Sequence, residues 1–213
     1  MYQPPLHRED RIEELHALVR AFPLATLVAL GPAGFEANHI PMLLDPSRGP
    51  HGTLLAHVAR GNPLLALARE GAAALAIFQG AEHYISPSWY ETKRQTGKVV
   101  PTWNYAVVHA HGPLRLIEDE AWLRAQIAAL TGKLEGPRQA PWQVEDAPED
   151  FVRAQLKGIV GLELEIARLE GKWKVSQNRP LADRQGVVAG LALEEQGGAM
   201  AALVSSRMPT PEG

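Results

Sequence analysis

The sequence predicts a mainly β fold with α additions, arranged as a closed antiparallel barrel, on three observations. Six or seven short segments are apolar or alternate in polarity, as strands do; tight Gly/Pro turns join most of them; and long helical periods come only late in the chain. A βαβ sheet, the weaker reading, would alternate strands with helices of about 10–15 residues throughout.

In chain order, Asp10 can cap a first helix whose Ile12, Leu15, Val19 and Phe22 recur at near-helical spacing and which ends before Pro23, in the position of a lid or barrel plug. Leu24 to Leu30, the turn Gly31-Pro32-Ala33-Gly34, and Phe35 to Leu44 read as a β-hairpin, extended around Pro41. Thr53 to Ala59 is the third strand, and Asn62 and Pro63 suit the cap and first position of a short helix, Leu64 to Glu70. Ala73 to Phe78 is a fourth strand. Val99 to Ala110 is a long one with Trp103, Tyr105, Val107 and His109 on one face, and Leu114 to Ile117 resumes the sheet after Gly112-Pro113. A helix capped by Asp119 aligns Leu123, Ile127, Leu130 and Leu134. A second, started by Asp146, carries Pro148, Glu149 and Asp150 in its first turn. Leu162, Leu164 and Ile166 alternate with Glu163 and Glu165, a half-buried strand, and the tail from Leu181 is helical, broken at Gly197-Gly198 and frayed at Pro209. The expected organisation is therefore a single domain over 1–213, with helical insertions at about 119–135 and 147–157 and a helical tail at about 181–206.

Bulk properties narrow the function classes. At 213 residues, 46% hydrophobic and 21% charged, the chain has the composition of an ordinary globule, and no apolar run nears the roughly 18 residues of a membrane span. Acidic residues early in the N-terminus predict no signal peptide, and the absence of cysteine excludes disulfides, thiolate metal sites and a cysteine nucleophile; a cytoplasmic setting is the expectation. A net charge of −3 provides no whole-chain field for nucleic acid.

Chemistry concentrates between Phe78 and His111. Six of the thirteen aromatics fall there (Phe78, Tyr84, Trp89, Tyr90, Trp103, Tyr105), interleaved with Gln79, His83, Ser86, Ser88, Lys93, Lys98, Thr102 and Asn104. That mixture suits a flat, partly polar ligand, and equally a β core whose Trp and Tyr have their polar ends satisfied. Two further segments could hold an anion. In His57-Val58-Ala59-Arg60-Gly61-Asn62-Pro63 a strand hands over to a helix start beside an arginine fork, although such a turn is common and lacks the glycine pattern of a nucleotide loop. Lys172 to Arg179 places cations, a hydroxyl and two amides in eight residues, fit for phosphate oxygens or a heterocycle edge, or for a solvated loop. All eight histidines lie at or before position 111, but without a carboxylate at ligand spacing they read as hydrogen-bonding groups rather than a metal site. No serine-nucleophile motif or convincing carboxylate pair is present.

These segments carry a resemblance. PLATLVAL (23–30), NHIPMLLD (38–45), GTLLAHVARGNP (52–63), FQGAEHYISPSWYETK (78–93), GKVVPTWNYAVVHAHGPLRL (97–116) and GKWKVSQNRPLADRQGVVAGL (171–191) closely resemble the PaiB-type FMN-binding negative transcriptional regulators, which are related to the split barrels of the pyridoxamine-phosphate-oxidase type. The resemblance implies an antiparallel split β-barrel, a homodimer with FMN at the subunit interface, and the following roles. Arg60 and the Asn62 helix start would hold the FMN phosphate, assisted by Lys174, Ser176, Gln177 and Arg179 of the partner chain. Asn38, His39, Ile40 and His57 would line the isoalloxazine or ribityl chain. Trp103, Asn104 and Tyr105 would supply stacking and edge contacts, and Tyr84, Ser86, Ser88 and Trp89 the outer wall. Gly61, where alanine is expected, and the Pro/Gly-rich Gly136 to Pro141 depart from the pattern. The implied function is flavin-dependent sensing in transcriptional control, with direct DNA contact doubtful because no helix-turn-helix is recognisable. An FMN-dependent oxidoreductase, drawing on His39, His57, His83 or Tyr84 for proton transfer, is the alternative. A haem-binding barrel using His83 or His109 ranks below both.

Overall fold

The structure, a computed structural model, describes residues 1–209. Its strands are β1 (Arg8–Glu9), β2 (Leu24–Gly31), β3 (Gly34–Pro41), β4 (Leu43–Asp45), β5 (Thr53–Ala59), β6 (Ala73–Ile85), β7 (Thr102–Ile117), β8 (Ile159–Glu165) and β9 (Arg168–Lys174). Its α-helices are α1 (Ile12–Ala21), α2 (Leu64–Arg69), α3 (Glu91–Thr96), α4 (Glu120–Glu135), α5 (Glu149–Lys157), α6 (Leu181–Leu191) and α7 (Gly198–Ser205). They fall into two compact units. One gathers residues 1–15, 79–108 and the chain from Glu170 onward; the other gathers 16–78 and 109–169.

The second unit holds the main sheet, in strand order β3-β2-β6-β7-β8-β5-β4. β2 and β3 form the predicted hairpin, in register from Leu24↔Pro41 to Gly31↔Gly34, and its two-residue turn closes because Gly34 takes a φ of 115° that a side chain would resist. β5 lies antiparallel to β8 along its full length, from Thr53↔Glu165 to Ala59↔Ile159. Strand alternation sends Ala25, Leu27 and Ala29 of β2, Leu54, Ala56 and Val58 of β5, and Val160, Leu162 and Leu164 of β8 into the core, each 6% exposed or less. A fully buried leucine there contributes about 2 kcal/mol. β3 and β4 end the order, and among the described residues no pairing joins them, so the sheet is mainly antiparallel but open rather than the closed barrel expected.

Three local expectations change. β7 runs through Gly112-Pro113 without a break, because a side chain at Gly112 would lie 2.0 Å from the Glu165 carbonyl and the close approach is itself the reason for glycine. β8 is buried on both faces: Glu163, expected in solvent, is 5% exposed and accepts from Arg48 Nη1 and Nη2 at 2.7 and 3.0 Å and from Trp122 Nε1 at 3.1 Å. Asp146 caps no helix; it closes a 3-10 turn with Gln143, and α5 begins after Pro148. Asp119 does cap α4, accepting from the Trp122 N–H at 2.7 Å.

In the first unit β1 pairs with β9 (Arg8↔Lys172, Glu9↔Gly171), and Asp10 accepts from Arg8 at 2.8 Å instead of capping α1. α6 presents Gly186 and Gly190, four residues apart on one face, to Trp89; a Cβ at Gly190 would stand 2.3 Å from the indole. Asp183 on the same helix is fully buried and accepts from Thr92 N and Oγ1 at 2.8 and 2.9 Å. No helix among the described residues is long and apolar enough to cross a membrane.

Candidate functional site

The seventeen residues expected at a ligand divide between the units: Asn38, His39, Ile40, His57, Arg60 and Asn62 in one, the remaining eleven in the other.

Ahead of α2 the cap position falls to Pro63 rather than to Asn62 as expected, but Asn62 Oδ1 still accepts from Leu64 N at 2.9 Å, and its Nδ2 donates to Asn38 Oδ1 at 2.8 Å. Two amides expected in different elements, Asn38 on a strand and Asn62 at a helix start, thus meet, and Glu36 fixes Asn38 in turn, accepting from its Nδ2 at 3.1 Å. Arg60 is half-exposed. Nε donates to the Lys157 carbonyl at 3.0 Å, Nη2 to the Ile159 carbonyl at 3.3 Å, and Nη1 pairs with Glu118 at 3.0 Å. Three of its five N–H donors are thereby engaged. His39 Nδ1 lies 3.1 Å from Thr26 Oγ1, and Ile40, expected to line a ligand, is instead buried in the core at 4% exposure. His57 turns to α4, with Nδ1 2.7 Å from Gln126 Oε1.

In the first unit, Asn104 and Ser176 form a buried pair, Asn104 Nδ2 donating to Ser176 Oγ at 2.9 Å, with the two residues 1% and 3% exposed. Ser176 carries a φ of 66°, the left-handed region, and is alone in this among non-glycine residues described. The surrounding loop is held tightly enough to sustain that strain. Gln177 Oε1 accepts from Val175 N at 2.8 Å, its Nε2 donates to the Trp173 carbonyl, and Arg184 donates to the carbonyls of Arg179, Gln177 and Arg207 at 2.8 to 3.1 Å. Lys174 Nζ donates to Thr102 Oγ1 at 2.6 Å and to the Trp103 carbonyl at 2.8 Å, and burial pulls its pKa below the usual lysine value. Tyr84 and Trp103, both about half exposed, meet edge to face at 6.0 Å, and Trp103 Nε1 donates to Glu82. Ser86 Oγ accepts from Ser88 N, Lys93 donates to Ser88 Oγ, and Trp89 lies 6.3 Å from the His83 ring. Arg179 stacks over the buried Tyr90 ring at 4.5 Å.

Sequence reasoning missed several of these partners. Lys172 stands between two tyrosine rings, 5.2 Å from Tyr105 and 5.5 Å from Tyr2, and the Tyr2 contact depends on the short β1–β9 pairing that no periodicity announces. Arg184, within the helical tail expected from Leu181, fixes the loop by three carbonyls. The hydroxyl of Tyr90 is buried, and burial raises its pKa against the opposing pull of the Arg179 guanidinium.

Residues 1–168 match the family model described as "Putative FMN-binding domain". The chain belongs to this family. Among its relatives, an uncharacterized protein of Aspergillus fumigatus is 34% identical over 235 residues, covering 89% of this chain and 90% of that one. The protease synthase and sporulation protein PAI 2 of Bacillus subtilis is 30% identical over 210 residues, covering 98% of both, so the PaiB-type resemblance holds across the Lys172 to Arg179 segment beyond the family model. A solved FAD and haem binding protein from Mycobacterium smegmatis superposes with a TM-score of 0.59 at 20% identity, covering 79% of this chain and 73% of that one. That likeness concerns the fold.

Proposed function

We propose that the protein binds FMN as a homodimer and acts as a flavin-dependent sensor. The observation that carries the reading is the match of the FMN-binding family model over residues 1–168. In this proposal the phosphate is held by the two uncommitted N–H donors of Arg60 and by the Asn62 turn, where Asn38 and Asn62 are already locked together. Lys174, Ser176, Gln177 and Arg179 of a second copy assist, through a loop whose geometry is fixed in advance, so that little ordering cost falls on binding. Asn38 and His39 lie along the ring or ribityl chain, whereas His57, turned to Gln126 on α4, and Ile40, buried in the core, are left out of the contact set. Trp103, Asn104 and Tyr105 meet the ring edge, with Tyr84, Ser86, Ser88 and Trp89 as outer wall.

The sensing role is favoured over oxidoreductase chemistry because the polar groups in this set are mostly paired with one another, which suits holding a flavin more than moving protons on it. The test replaces Arg60 by alanine. Affinity for FMN should fall by at least tenfold, the value of a charge-assisted phosphate contact of about 1.5–3 kcal/mol, while riboflavin binding changes little. Equal losses for both ligands would refute the phosphate assignment.

A further inference from the structure

A cleft of about 270 Å³ opens in the second unit between β5, α4, α5 and the loop at Trp142, and its walls include His57, Ile127, Trp142, Phe151, Leu156 and Ile159. Beneath it Leu123, Val144, Val152 and Leu156 form a small core of their own. The aligned apolar stripe of α4 covers this region only in part, with Ile127 packed against the small core. Leu123 is buried, but the next buried position of α4 belongs to Gln126, and Leu134 is half exposed. Trp142 and Phe151, both about half exposed, both stand in the wall of this one cleft.

The polar part is more specific. Gln126 is 4% exposed; its Oε1 accepts from His57 Nδ1 at 2.7 Å, and its Nε2 is buried with no hydrogen-bond partner. A buried amide left half satisfied in an apolar cluster is costly, and its retention calls for a reason. Because an amide oxygen only accepts, this bond puts the proton on His57 Nδ1 and leaves Nε2 of the neutral ring as an acceptor. Gln126 therefore serves as a positioning residue that fixes one tautomer of a histidine lining the cleft.

We propose that this cleft is a second binding site, separate from flavin binding, for a small planar aromatic molecule carrying one N–H or O–H donor. The volume lies just under the range of about 300–1,000 Å³ typical of ligand pockets, which suits a bicyclic fragment and is too small for a flavin. Trp142 and Phe151 supply the ring contacts, Ile127 and Ile159 the apolar walls, and His57 accepts the single donor, giving the one directional contact that orients an otherwise apolar ligand.

Indole and 1-methylindole, which share the bicyclic ring but differ by the methyl group that replaces the donor hydrogen, are the probes, titrated by calorimetry and ligand-observed NMR. Wild-type protein should bind indole saturably and 1-methylindole at least fivefold more weakly, because the Nε2 acceptor would lose its partner. Trp142→Ala and Phe151→Ala, at half-exposed positions that do not endanger folding, should each weaken indole about tenfold. In His57→Ala the two probes should bind equally. Equal affinity of both probes for the wild type, a preference that survives in His57→Ala, or undiminished binding in both aromatic variants would overturn the proposal. None of these readouts involves flavin, so they stand whether or not FMN binds.

Discussion

Arg207 donates to the buried Glu9 carboxylate at 2.5 Å, joining the end of α7 to the second strand residue of the chain across 198 positions. Arg11 binds the same carboxylate through its backbone N–H, Nε and Nη2 at 2.7 to 3.0 Å. Burial alone would raise the Glu9 pKa, but the Arg11 and Arg207 hydrogen bonds outweigh it and hold the group at about 2 instead of its ordinary 4.5. A depressed folded pKa gives stability that is complete above about 4.5 and drains away as pH falls toward 2. Glu9→Gln should therefore cost about 2 kcal/mol at neutral pH and flatten the acid limb of the stability profile, read from urea midpoints between pH 7 and 2.5. An unchanged acid limb would remove Glu9 as its source.

Glu163 offers a second, independent test. The Arg48 hydrogen bonds, working against burial, hold its pKa below the usual carboxylate range, and Trp122 and Arg115 add to the effect. Removing only Arg48, as Arg48→Met, leaves a buried carboxylate short of its bidentate partner and should cost about 3 kcal/mol in denaturant melts. The double variant Arg48→Met/Glu163→Leu should recover most of that loss, since a packed apolar pair replaces the ion pair. Additive losses would contradict this.

Ser176 predicts an inverted ranking. Ser176→Ala keeps the left-handed backbone and leaves Asn104 Nδ2 unsatisfied, whereas Ser176→Gly loses the same hydroxyl but relieves the strain. The glycine variant should be more stable than the alanine variant by about 1 kcal/mol, the cost of a side chain in that conformation. Thermal melting of the two checks it, and the reverse order would place the strain elsewhere.

Residues near one another in sequence were the easiest to read. The β2–β3 hairpin, the bounds of β5, the Asp119 cap and the Asn62 turn all follow from spacing and turn chemistry within ten or so residues. What escaped depends on partners far along the chain. Glu163 looked solvated because nothing local shows that Arg48 and Trp122 cover it, and the Gly112-Pro113 break was inferred without knowing that β8 ends against it. Within the candidate site the residue types were legible, as polar and aromatic groups crowded into short segments. Their commitments were not: Arg60 to two carbonyls and Glu118, Gln177 to its own loop, His57 to Gln126 on a helix 69 positions away. Such pairings are set by tertiary packing, which single-segment periodicity does not encode.

Flavin binding is tested most directly by titrating purified, flavin-stripped protein into FMN and following the flavin fluorescence. The account predicts saturable quenching at micromolar protein with one FMN per chain, and a yellow protein after gel filtration. Flavin fluorescence unchanged at tens of micromolar protein would contradict it.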